Sequence, residues 1–304
     1  MNDATIAIDI GGTKIAAALI QQQQIIAKRK IDSVVHRNLA TLPDTIYALC
    51  QDWLTEASSV AVATTGQVGK DNVGFLSAKQ HLPLQQLLSA RLKLPVTILN
   101  DAAAAAYAEF HQLKQQGLFD DKVENLVYIT VSTGVGGGII QNGTLVTCDN
   151  GFCAHLGHVS VPFTGIPIRC HCGRYNCVEA ISSGTAIAKR ASALLNIPVT
   201  CEEMFADHQH RIQVHILIDE VADALTELIA NAKAWTGTEY VVLGGSVGQN
   251  DTLFNVVQHK LSKLPALYHT RLFRPSCGSD ADLWGAFWYA QQQNRDKPDA
   301  NSVM

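Results

Sequence analysis

A chain of 304 residues, 47% hydrophobic and 16% charged, can bury two ordinary domain cores and excludes a disordered protein. Its net charge of −4 argues against nucleic acid as the main partner, and no apolar run reaches membrane-spanning length. Eight cysteines, with no basic n-region and apolar h-region in the opening MNDATIAIDI, point to a reducing cytoplasm, where thiols serve metals or cores.

The first predicted elements are two apolar strands over 5–10 and 15–20, joined by Gly-Gly-Thr-Lys, which reads as a hairpin. Its tip carries Asp9, Gly11, Gly12, Thr13 and Lys14. Glycines let backbone N–H groups approach a phosphate, Thr13 and Lys14 add donors, and Asp9 can hold a metal or its waters. The glutamines at 21–24 read as an exposed turn. Apolar residues at helical spacing predict a helix over 38–53, and a buried strand over 60–63 ends in the polar lip Thr64-Thr65-Gly66. Residues 67–83 read as irregular, followed by a short helix to about Lys93 and a strand over 96–99. That strand delivers Asn100 and Asp101 to the start of an alanine-rich helix. Asp101 there can cap the helix or act as a general base toward a hydroxyl; the local sequence leaves both open. Strands alternating with helices predict an α/β fold with ligands gathered at strand C-termini.

A polar stretch over 114–125 reads as the interdomain link, and beyond it the opening pattern returns. A strand over 125–132, the turn Thr133-Gly-Val-Gly-Gly-Gly138 and a return strand at 139–140 form a second hairpin. One polar glycine tip per half suggests a duplicated architecture with a nucleotide between the halves. A third glycine turn, over 244–248, follows a long helix over 212–235. Between the second and third turns, His158, Cys170, Cys172 and Cys177 supply one imidazole and three thiols, the ligand set of a closed tetrahedral zinc site. Such a site has no open position, so the metal is expected to be structural. The other five cysteines, Cys50, Cys148, Cys153, Cys201 and Cys277, read as core or loop residues.

DIGGTK, a strand ending in Asn-Asp, STGVGGG, Gly-His followed by Cys-x-Cys-Gly-x-x-x-Cys-x-Glu, and GGSVG resemble, in order and across most of the chain, the ROK family of sugar kinases and repressors. The resemblance implies a two-domain actin-like/ribonuclease H-like ATPase fold with a zinc-binding loop. One domain would span 1–118 and be joined by a C-terminal helix at about 284–304; the other would span 119–283. The resemblance also implies a cytoplasmic homodimer that takes ATP, Mg2+ and structural Zn2+ and acts on a small sugar, with neither nucleic acid nor membrane as partner. Asp101 becomes the base for the sugar 6-hydroxyl, with Asn100, Thr65, Gly66, His155, His158 and Glu179 on the sugar side. Asp9, Gly11, Gly12, Thr13 and Lys14 become the first phosphate loop, Thr133, Gly134, Gly136 and Gly137 the second, and Gly244, Gly245 and Ser246 the adenosine loop. His155 stands where glucose-phosphorylating members carry Glu, so the expected substrate is N-acetyl-D-mannosamine, in sialic acid breakdown. Glucose, another hexosamine, or a sugar-responsive regulator are the alternatives. The first strand begins near Thr5, which leaves no room for the helix-turn-helix of the repressors. Residues 71–83 lack the Asn-Pro-x-Asn-Leu run of relatives, Asn176 replaces a Gly, and His171 reads as exposed.

Overall fold

A computed structural model describes residues 4–75, 80–119 and 124–295. Parts of three sequence expectations, at 76–79, 120–123 and 296–304, lie outside the described residues. The chain divides into two compact units: Met1–Leu118, Thr147–Cys153 and Cys277–Met304 form one, Phe119–Val146 and Ala154–Ser276 the other.

In the first unit, β1 (Ala4–Ile10) alternates between two buried faces. Ile6, Ile8 and Ile10 join one apolar cluster, whereas Ala7 joins another. β1 pairs antiparallel with β2 (Lys14–Gln21), which pairs antiparallel with β3 (Gln24–Asp32). Helix α1 (Leu42–Cys50), flanked by 3-10 turns, leads to β4 (Ala57–Thr64). A small antiparallel sheet of β5 (Gln67–Val68), β6 (Val73–Phe75) and β7 (Gln80–Leu82) follows, so this stretch is not irregular throughout. Then come α2 (Leu84–Leu92), β8 (Val96–Asn100) and α3 (Asp101–Gln115). The main sheet runs β3-β2-β1-β4-β8, with β4 parallel to both β1 and β8. Within this sheet, the edge strand β3 is the strand absent from the sequence reading.

The second unit repeats the plan. β9 (Leu126–Val131) pairs antiparallel with β10 (Val135–Gln141), and β10 with β11 (Thr144–Leu145). Helices α4 (Val178–Ser182), α5 (Gly184–Leu195), α6 (Cys201–Glu203) and α7 (Ile212–Thr236) precede β12 (Tyr240–Gly244). Next are α8 (Gly245–Gly248), α9 (Asp251–Leu261) and β13 (Arg271–Phe273). The sheet order is β11-β10-β9-β12-β13, the same crossover pattern as in the first unit, with β12 parallel to β9 and β13. Val127, Ile129 and Val131 pack in one core with Val221, Leu225 and Leu228 of α7.

The last helix, α10 (Ala281–Arg295), belongs to the first unit and lies against α3, β4 and β1. Leu283 and Phe287 join Ala7, Ala16 and Ala18 on the sheet face opposite the isoleucines. The alanine run of α3 lets the two helices approach closely: a Cβ at Gly285 would sit 1.8 Å from the Ala104 carbonyl oxygen. Among the described residues, no helix is long and apolar enough to cross a membrane.

Candidate active site

Three parallel-paired strands of the first unit end level with one another, because Ile10 pairs with Thr64 and Thr64 with Asn100. This register gathers Asp9, Thr65, Gly66, Asn100 and Asp101 at one sheet end. Thr65 N–H donates to the Ile10 carbonyl at 2.9 Å, and the Asn100 amide donates to the Gly66 carbonyl at 2.9 Å. Asn100, not Asp101, is the N-cap of α3, accepting from the Ala103 N–H at 3.2 Å. Asp101 is the first helical residue, with one carboxylate oxygen taking the Ala102 N–H at 2.8 Å. The hairpin tip is closed by Gly11 N–H on the Lys14 carbonyl at 2.9 Å. Lys14 itself is ion-paired with Asp32 across the β2–β3 edge, and His36 covers Gly12.

Burial dominates the electrostatics at this sheet end. It raises the Asp101 carboxyl to about 6, against the lowering effect of the Ala102 N–H. Asp9 is raised to about 7, by burial first and then by the charge of Asp101, with Lys30 opposing. Asp282, in the first turn of α10, is raised well above the carboxylate range by burial and then by Asp9 and Asp101. The sequence reading missed Asp282. It lies far from Asp9 in the chain, and only the return of α10 to this unit brings the two together.

In the second unit, Ser132, Thr133 and Gly134 make the β9–β10 turn, whereas Gly136 and Gly137, expected in the phosphate loop, lie within β10. Ser132 N–H donates to the Gly134 carbonyl at 2.9 Å. The start of α5 grips this turn: Gly184 N–H donates to the Ser132 carbonyl at 2.7 Å and the Thr185 hydroxyl to the Thr133 carbonyl at 2.9 Å. Gly244 ends β12, and Gly245 and Ser246 open α8. Gly245 has φ +81°, and a Cβ there would lie 2.2 Å from the Val131 carbonyl oxygen, so only glycine fits.

The ligand atoms of His158, Cys170, Cys172 and Cys177 all lie within 4.8 Å of one another. Cys172 and Cys177 Sγ are 3.6 Å apart, and Cys170 Sγ is 3.7 Å from His158 Nδ1. Tetrahedral zinc with ordinary Zn–S and Zn–N bonds has ligand–ligand edges of about 3.6–3.8 Å, so the four residues fit that ion. The loop is prepared for it. Cys170 N–H bonds the Arg174 carbonyl at 2.8 Å, and Asn176 takes the left-handed backbone (φ 54°) expected where relatives carry Gly. Burial lowers His158, favouring the neutral ligand form, and pushes the Cys170 thiol up to about 12, so a metal must displace its proton. His171 is exposed, as expected, yet its Nδ1 lies 3.2 Å from Glu179 Oε1. His155 stacks on His158 with ring centroids 6.2 Å apart.

The sheet pattern, the glycine turns and the Cys3His loop define a class: the chain belongs to the ROK family, whose profile matches residues 5–293. It has the α/β fold of the actin-like ATPases and superposes on a ROK hexokinase from Thermus thermophilus with a TM-score of 0.82 at 25% identity, over 97% of this chain and 100% of that one. Over 294 residues it is 38% identical to the N-acetylmannosamine kinase of Salmonella typhimurium, covering 94% of this chain and 98% of that protein. Against the N-acetylmannosamine kinase of Vibrio vulnificus the identity is 37%, over 95% and 98% respectively.

Proposed function

We propose that this chain transfers the γ-phosphoryl group of ATP to the 6-hydroxyl of N-acetyl-D-mannosamine, giving N-acetylmannosamine 6-phosphate and ADP, a step of sialic acid breakdown. The observation that carries this reading is the near full-length likeness to two enzymes named for that reaction. Asp101 is the general base: it accepts the 6-hydroxyl proton as the sugar oxygen bonds to the γ-phosphorus and the bond to the β-phosphate oxygen breaks. A carboxyl at about 6 is mostly ionised at neutral pH and is still basic enough to help. Asn100 holds a neighbouring hydroxyl, and Thr65 and Gly66 line the same strand end.

Main-chain N–H groups at 12–13 and 133–134 serve the phosphates, and 244–246 the adenosine. Asp9 is a hard oxygen donor beside Asp101, so a cation would relieve the like charge that helps raise it to about 7. Mg2+ held there would supply charge neutralisation on the phosphates. Zn2+ in the Cys3His loop would fix the tautomer of His158 and leave its other nitrogen for the sugar. His155 can donate to the N-acetyl carbonyl, where a carboxylate would set acceptor against acceptor. The enzyme is proposed to act as a cytoplasmic homodimer.

The test is ADP release with N-acetylmannosamine, N-acetylglucosamine, mannose and glucose in turn. The highest kcat/KM is expected for N-acetylmannosamine. A preference for glucose would reassign the chain to the glucokinases.

A further inference from the structure

In the metal loop, His171 lies outside the Cys3His set and the expected sugar contacts, and it clusters with His158 and Glu179. His171 lies between Cys170 and Cys172, and its side chain is 63% exposed, yet its Nδ1 reaches to 3.2 Å from Oε1 of Glu179, which is 17% exposed. The other oxygen, Oε2, accepts the Val135 N–H at 3.0 Å. Glu179 therefore has one hydrogen bond, from the first residue of β10, and one close neighbour in the metal loop, His171, whose Nδ1 also lies 4.0 Å from Cys170 Sγ. The His158 ring stands edge-on to His171 at 5.2 Å between centroids, so the ring proposed to face the sugar adjoins the ring that holds the carboxylate. A glutamate side chain has three rotatable bonds and loses much rotamer freedom when fixed. A hydrogen bond on one oxygen and an imidazole nitrogen 3.2 Å from the other restrict that freedom, and a carboxylate with about four lone-pair positions still has room for a sugar hydroxyl.

We propose that His171 is a positioning residue for sugar binding: its Nδ1–H holds Glu179 Oε1, so that the carboxylate meets the sugar already oriented. This rests on the reading of Glu179 as a sugar contact. It also gives the metal loop a second route to the sugar besides His158.

The test compares the full-length wild type with His171→Ala, His171→Asn, Glu179→Gln and the His171→Ala/Glu179→Gln pair, with KM measured for each substrate and zinc by elemental analysis. The alanine variant is expected to raise KM for N-acetylmannosamine about tenfold or more, the scale of a lost hydrogen bond to a charged group. KM for ATP, kcat and zinc content should stay near wild type. Asparagine, whose amide nitrogen takes the place of Nδ1, should recover most of the loss. The double variant should be no worse than Glu179→Gln alone, since the two residues act through one carboxylate. If Glu179→Gln raises the sugar KM and His171→Ala does not, the inference fails and the role of Glu179 stands. If Glu179→Gln itself leaves the sugar KM unchanged, the sugar-contact reading fails and takes the inference with it. Loss of zinc, or equal rises in both KM values in the alanine and asparagine variants alike, would make His171 a structural part of the loop and overturn the proposal.

Discussion

Burial holds the Asp101 carboxyl at about 6, and the consequence is a pH profile. A base works only when ionised, so kcat/KM should rise with pH through an acid limb near 6 and fall below it. Asp101→Asn keeps the shape and the bond from Ala102 N–H but removes the proton acceptor. We expect kcat to drop about 10²–10⁴-fold with KM changed far less, and the acid limb to vanish from the residual activity. Near-wild-type kcat in a steady-state assay would leave Asp101 a structural residue. Asp282 makes a prediction about stability. Its folded pKa is raised, so the native state binds the proton more tightly than the unfolded chain does. Stability from this group is present below its unfolded value near 4 and is lost as pH rises toward its raised folded value. Asp282→Asn should therefore raise the melting temperature at pH 7.5 and change it much less at pH 4.5, read by calorimetry at both values. The functional residues were legible to different degrees. Asn-Asp lies at a strand end as expected, yet the local sequence could not tell cap from base. Asn100 turned out to be the cap, because its oxygen reaches the third N–H of the helix while Asp101 is already inside it.

Elements with a strong apolar period were legible; those set by pairing partners were not. The strands 5–10, 60–63, 96–99 and 125–132 and the helix 212–235 all form within a few residues of the reading. β3 was missed because its Lys28, Arg29 and Lys30 look like a solvated loop, whereas an edge strand tolerates such residues facing water. The glycines of 136–138, expected in a turn, lie in β10 and pair with Thr130, Ile129 and Tyr128 of β9, and at Gly137 close packing against Leu156 rather than conformational freedom is the reason for glycine. The clustering of His158, Cys170, Cys172 and Cys177 was legible, since the four lie within one short stretch. Cys172→Ser should lose about one zinc per chain by elemental analysis and raise the sugar KM more than the ATP KM. A zinc-free preparation with full activity would contradict this. The α3–α10 crossing gives a structural prediction. Gly285→Ala would drive a methyl into the Ala104 carbonyl, 1.8 Å from the built Cβ, and should cost ~1–3 kcal/mol or more. A melting temperature unchanged by that substitution would mean that the helices separate without cost.

At the scale of the molecule, duplication was the most informative feature of the sequence. Two glycine-tipped hairpins, one per half, anticipated two sheets with one strand order. The return of the last helix was implied by the family resemblance alone and not by spacing: segments 147–153 and 277–295 belong with the first unit, and α10 supplies both its second apolar layer and Asp282. Such returns depend on which open sheet face a late helix can bury against, and no local pattern encodes that. Membership of the ROK family is shown, whereas the sugar is the particular claim. The most direct measurement incubates the purified chain with ATP, Mg2+ and N-acetyl-D-mannosamine and follows the product by mass spectrometry and phosphorus NMR, with glucose in parallel and Asp101→Asn as control. The account predicts N-acetylmannosamine phosphorylated at O6, at a kcat/KM at least about tenfold above that for glucose, and almost no product from the variant. Glucose as the preferred acceptor, phosphate on another hydroxyl, or a variant as active as wild type would contradict it.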